Sequence, residues 1–144
     1  MKFVCDAPDG RTWFRIETVD EACEESLLMQ HSLERQFRLE MDKARKSFRP
    51  PSTVFFEQEI GLQAHLERQM ALFVTLRDEN GTPLVTAVLP PGGMFSPEFR
   101  PIILGKSNTD PYMRHAECIF ALGRHFGLTL ERARCYPYPP GRHY

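Results

Sequence analysis

His115 and Cys118 lie three residues apart in a stretch with helical periodicity, and His125 falls on the same side at about 100° per residue. A thiol and an imidazole on one helical face are parts of a zinc site or of a base-activated nucleophile. The set is incomplete for either. A structural zinc site takes four ligands, usually from two close-spaced pairs, so Cys135 or His143 would have to complete this one. A nucleophile also needs a base held by an orienting group. The residues therefore predict a buried, hydrophobe-like Cys118 with histidines on the helix flank, and no metal, cofactor or catalytic residue.

Leu104-Gly105-Lys106-Ser107 invites comparison with a phosphate-binding loop. Such a loop needs a glycine five positions before the glycine of its Gly-Lys-Ser, and Arg100 stands there. Asn108-Thr109-Asp110-Pro111 then delays the helix that the Lys-Ser pair should begin. Nucleoside-triphosphate hydrolysis is excluded on these grounds. A simpler chemistry survives, because the first amides of the last helix are outward donors that favour an anion. Arg100, Lys106 and Arg114 are the cations available to gather there, with Ser107, Asn108 and Thr109 as neutral donors. His115 is the first candidate acid or base. Asp110 opposes the idea, since it caps the helix itself and repels an anion.

The remaining charged residues define no reaction. Glu34 falls inside an apolar helical stripe, where it either pairs with a basic side chain or acts as a functional carboxylate beside His31. Glu57 and Glu59 have no defined partner and read as a solvated face. The basic run from Lys43 to Arg49 holds one aromatic, Phe48, whereas a single-strand groove wants several exposed ones. A net charge of −1 supplies no field for nucleic acid or anionic membrane. No stretch approaches the ~20 apolar residues of a membrane span, and the N-terminal residues lack a signal-peptide pattern. A cytosolic protein is expected, with Cys5, Cys23, Cys118 and Cys135 as free thiols.

At 144 residues, 42% hydrophobic and 26% charged, the chain reads as one α+β domain over 1–144. Residues 2–5 and 12–17 read as strands joined by Pro8-Asp9-Gly10, with Phe14 and Ile16 on one face and Trp13 and Arg15 on the other. Trp13 is expected to pack at a sheet edge. Thr18-Val19-Asp20-Glu21 has capping-box spacing and opens one long helix that Pro50 and Pro51 end. Its core stripe is Cys23, Leu27, Phe37, Met41, Ala44 and Phe48, with acids crowding its first turns and bases its last. Leu28 and Leu39 fall on the opposite, charged face.

A second helix is read over 54–69, capped by Ser52 or Thr53, with a strand plus a shorter helix as the alternative. Residues 71–77 and 84–89 form a hairpin around Asn80-Gly81. Asp110-Pro111 opens the last helix, and Gly127-Leu128 closes it. Leu130 to Tyr136 alternates as a final strand, followed by a frayed tail from about 137. The order is ββααββ-loop-αβ: a small antiparallel sheet of about five strands with two or three helices on one face.

Between the second hairpin and the last helix runs a long segment, 90–110. Loops beyond about 12–15 residues are uncommon in compact domains and are usually functional or disordered. This one carries Met94, Phe95 and Phe99. With Leu28 and Leu39, these residues favour a non-catalytic protein-interaction module that binds a protein partner or itself. The alternative is a small anionic-ligand-binding protein or enzyme, its site under the 90–110 segment.

Overall fold

The molecule is built on a hairpin of two buried strands, β3 (Leu72–Arg77) and β4 (Pro83–Leu89). They join where the Asn80-Gly81 signal predicts, with Gly81 at φ +78° and the Asp78 carboxylate accepting from the Asn80 and Thr82 amides. Every residue of β3 is buried, and β4 is buried from Val85 onward. The near-continuous apolar run of β4 predicts such a central strand. The structure, a computed structural model, describes residues 1–50 and 55–140.

Around the hairpin stand β1 (Lys2–Ala7), β2 (Arg11–Arg15) and β5 (Ile102–Gly105). The sheet order is β1-β2-β3-β4-β5, with every neighbouring pair antiparallel. Five antiparallel strands in an α+β fold match the sequence reading. The identity of the fifth does not: β5 comes from within the 90–110 segment, and Leu130–Tyr136 is no strand. Ile102 and Ile103 are β-branched and lie against Val88 and Ala87 of β4. The 130–136 stretch forms a 3-10 turn at Arg132–Arg134 instead, packs Leu130 and Cys135 into the core, and meets the sheet edge through a bridge from Tyr136 to Ile102. Its carbonyls are satisfied by local turn amides, by Ile103 N on Tyr136 O, and by side chains, with Tyr112 Oη donating to Leu130 O and Arg100 to Cys135 O.

Among the described residues four α-helices pack on the sheet: α1 (Val19–Met29), α2 (Leu33–Ser47), α3 (Phe55–Gln69) and α4 (Tyr112–Phe126). They cover both faces, not one. Side chains alternate along each strand, so Trp13, Leu72, Val74, Leu76, Val85, Ala87 and Ile103 form a core with Ile119 and Leu122 of α4. Ile16, Phe73 and Val88 point the other way, onto Ala22, Phe37, Met41, Ala44 and Leu66 of α1 to α3. A strand pair buried on both sides needs a helical layer on each. Trp13 therefore sits one strand in from the edge, fully buried, and its indole N–H donates to Cys118 O at 2.8 Å.

The single long helix expected from Thr18 onward is two. The capping box at Thr18 and Glu21 is present. The helix stops at Gln30, which adopts a left-handed conformation at φ 56°. The break resets the helical phase. Ala22, Glu25, Ser26 and Met29 face inward, and Leu27, expected in the core stripe, is 79% exposed. The predicted stripe survives in α2 as Phe37, Met41 and Ala44. Phe37 meets Phe73 edge-to-face at 5.1 Å. Basic residues follow the dipole at the end of α2, but the last turn of α1 has none.

The helix expected over 54–69 is α3, and its Ser52 or Thr53 cap lies outside the described residues. At the end of α4, Gly127 is left-handed, and Leu128 N donates to Gly123 O, the closure that Gly127-Leu128 predicts. The expected fraying from 137 fails at Tyr138. That side chain is buried and donates its hydroxyl to Ile103 O. Among the described residues no helix is long and apolar enough to cross a membrane.

Candidate functional site

After β4 the chain must pass between the C-terminal ends of α3 and α4, and two glycines let it through. Gly92 and Gly93 take φ of +65° and +71° in a 3-10 turn. A Cβ on Gly93 would lie 2.4 Å from the Phe126 ring. The chain then turns outward, leaving Met94 and Phe95 each 74% exposed. Phe99 folds back against the second core, its amide bonded to Ser96 O at 3.2 Å. Arg100 reaches across to the carbonyls of Cys135 and Tyr138, pinning the C-terminal segment to the same place.

These turns leave a cleft of about 510 Å³ between the 95–101 segment and the stretch that follows α4. Phe95, Pro97, Phe99 and Leu128 supply apolar walls, and Arg100, Arg134 and Glu98 the charge. The volume falls in the range of ligand pockets, roughly 300–1,000 Å³. Neither histidine nor cysteine lines it. A second groove, about 740 Å³, runs between α2 and β5, with Leu33, Leu39, Ile102, Leu104 and Tyr136 along it. Leu39 is 69% exposed there, and Leu28 stands 42% exposed on α1.

The anion-binding residues expected from sequence are not gathered. Arg100 belongs to the cleft, while Lys106 and Ser107 lie beyond the other end of β5, a strand's length away at about 3.3 Å per residue. Ser107 instead donates to Gln30 Oε1, joining that turn to the break between α1 and α2. Arg114 is exposed on α4. His115 Nδ1 is bonded to the Arg11 guanidinium at 2.9 Å. Asp110 occupies the start of α4, accepting from Tyr112 N at 2.9 Å and pairing with Arg132 Nε at 2.6 Å. Its carboxylate holds the position an anion would take.

Cys118 is buried, with its sulfur 3.8 Å from Pro8 O and 4.0 Å from Arg11. Burial, then the charges of Arg11 and Arg114, lowers the His115 pKa. His125 sits one helix end away, edge-on to Phe126, and His143 lies outside the described residues. Among the described residues no group of three His, Cys, Asp or Glu is placed to hold a metal ion.

One polar cluster escapes the sequence reading. Glu25, 1% exposed, pairs with Arg77 at 2.6 Å. Its second oxygen accepts from Thr86 Oγ1 at 2.5 Å. Thr86 has its only proton committed there, so its oxygen accepts from His31 Nε2–H, 2.9 Å away. That assigns the neutral tautomer, with Nδ1 accepting from Ser26 Oγ at 3.2 Å, and Ser26 accepting from Glu34 N at 3.0 Å. Burial depresses the His31 pKa against the opposing pull of Glu25.

The carboxylate linked to His31 is thus Glu25. Glu34 points outward, to Cys23 Sγ at 3.0 Å and Arg38 at 3.6 Å, and its pKa is lowered first by the thiol and then by Arg38. The void beside His31 is about 10 Å³, room for at most one water. The cluster therefore ties α1 to the sheet and admits no substrate.

No protein-family model matches the chain, and neither a characterised protein nor a solved structure shows significant similarity to it.

Proposed function

We propose that the protein is a non-catalytic protein-interaction module that docks its partner in the cleft beside Phe95. The observation that carries this reading is the 74% exposure of Phe95 on the wall of the cleft, with its neighbour Met94 equally exposed. Exposed large apolar groups cost solvation and are typical of recognition surfaces. The cleft offers anchors of the kind that dominate interfaces, aromatic rings with arginines beside them. It offers no positioned acid–base pair, which general acid–base catalysis needs. The anionic-ligand alternative has less support, since the Arg100 guanidinium already serves two main-chain carbonyls. All four cysteines are free thiols, which suits work in the cytoplasm.

The test is site-specific photo-crosslinking in cells. A crosslinker at Phe95 is expected to yield a discrete protein adduct, and one at Ile60, 56% exposed on α3, is not. No adduct at Phe95 above the Ile60 control would dispose of the reading.

A further inference from the structure

We propose that the cleft beside Phe95 takes helix α1 of a second copy of this chain, so that the protein associates head to tail. The inference rests on the cleft being a protein-docking surface and names the occupant from charge and apolar character. Helix α1 carries Asp20, Glu21, Glu24 and Glu25 and no basic residue. Its inward face is Ala22, Glu25, Ser26 and Met29. Opposite, within an arc of about 100° on a helix of 3.6 residues per turn, lie Asp20, Glu24, Leu27 and Leu28. Leu27 is 79% exposed and Leu28 42%. The outward face is therefore acidic and apolar together.

The cleft has the complementary character. Phe95, Phe99 and Leu128 offer apolar contact, and its wall carries a net positive charge: Arg134, and Arg100 bonded to neutral carbonyls, against the single carboxylate of Glu98. Among the described residues neither Asp20, Glu24 nor Arg134 takes part in an ion pair within the chain. Residues at i, i+4 and i+7 of an amphipathic helix are the usual anchors in a hydrophobic groove. The groove between α2 and β5 is a poorer receiver, because Arg35 and Glu40 balance there, whereas Arg100 and Arg134 outnumber Glu98 in the cleft. The two matching patches differ from one another, so the contact is heterologous and propagates into open chains or a closed ring.

Sedimentation velocity of the full chain over a concentration series tests this. The wild-type sedimentation coefficient is expected to rise with concentration, and less so at high salt. Leu27→Asp, which disables α1, and Phe95→Asp, which disables the cleft, are each expected to raise the half-association concentration at least about tenfold. An equimolar mixture of the two variants should form a two-chain species and nothing larger, because each supplies one intact patch. Glu24→Arg and Arg134→Glu should each weaken association alone and restore it when mixed. Both apolar substitutions are at highly exposed positions, and unchanged melting by circular dichroism checks the fold.

A wild type that stays monomeric at every concentration overturns the inference. So does association that persists in both single variants, or a Leu27→Asp and Phe95→Asp mixture that remains monomeric. If the wild type is monomeric while Phe95 crosslinks to another protein, the docking reading stands and this inference alone falls. If neither occurs, both fall.

Discussion

Glu25 is the residue on which the α1 layer depends most. Its carboxylate is nearly inaccessible, paired with Arg77 and bonded to Thr86. Removing one partner of a buried pair leaves the other charge uncompensated, which typically costs about 3–5 kcal/mol. Glu25→Gln is expected to destabilise by that order in urea denaturation, and Glu25→Leu with Arg77→Met by clearly less. The linked His31 sets a pH dependence. Burial lowers its pKa, as it does that of His115, below the ordinary histidine value of 6.5. The unfolded chain then binds more protons than the folded one as pH falls through that value, so stability is full above it and declines below. The urea midpoint should drop between pH 7.5 and 5.5, and His31→Gln should remove part of the drop. None of this is legible in the sequence. The hydrophobic period places Glu34 inward and says nothing special of Glu25, because it runs through Gln30 without a break. The burial of Cys118 is legible, since a free cysteine is among the most buried side-chain types, whereas the 74% exposure of Phe95 is not, because an aromatic ring is core material by type.

Elements announced by their own local chemistry form as expected. Asn80-Gly81 makes the hairpin, Thr18 and Glu21 the capping box, and Gly127-Leu128 the end of α4. The elements misread are those that depend on distant partners: the break between α1 and α2, and β5, whose place at the sheet edge the residue pattern assigns to Leu130–Tyr136. Gln30 carries neither glycine nor proline, and its left-handed turn is held by Ser107 on one side and by the His31 contact to Thr86 on the other. Strand β5 is four residues long and hidden in an apparent loop, and its pairing with β4 exists only in the folded chain. Its outer edge is closed by Tyr136, whose amide and carbonyl bond to Pro101 O and Ile103 N, and by the Tyr138 hydroxyl on Ile103 O. Such covering removes a template for aggregation. The opposite edge, β1, carries Lys2 and Asp6 and an irregularity between Phe3 and Cys5, devices with the same effect. Tyr138→Ala is expected to cost roughly 3–5 kcal/mol, and faster amide exchange at Ile103 would report the opened edge. Gly93→Ala forces a Cβ into the Phe126 ring in a left-handed conformation, and should lower the melting temperature while rearranging the cleft.

At the scale of the molecule, one sheet serves two cores of unequal make-up. The α4 side is continuous and apolar, and the α1–α3 side includes the Glu25, Arg77, Thr75 and Thr86 polar set. Native-state hydrogen exchange is expected to find β3, β4 and α4 opening only with global unfolding, and α2 opening earlier; equal protection of α2 and β4 would contradict this. Because the faces alternate, Phe73, Thr75 and Arg77 belong to one core, while Leu72, Val74 and Leu76 belong to the other. A slip of one residue in the pairing of β3 would send Thr75 and Arg77 into the apolar α4 core and leave Glu25 without its counter-charge. The buried polar set thus acts as a check on register. A sheet whose two sides are both greasy would tolerate that error, and this one rejects it through a single misplaced guanidinium.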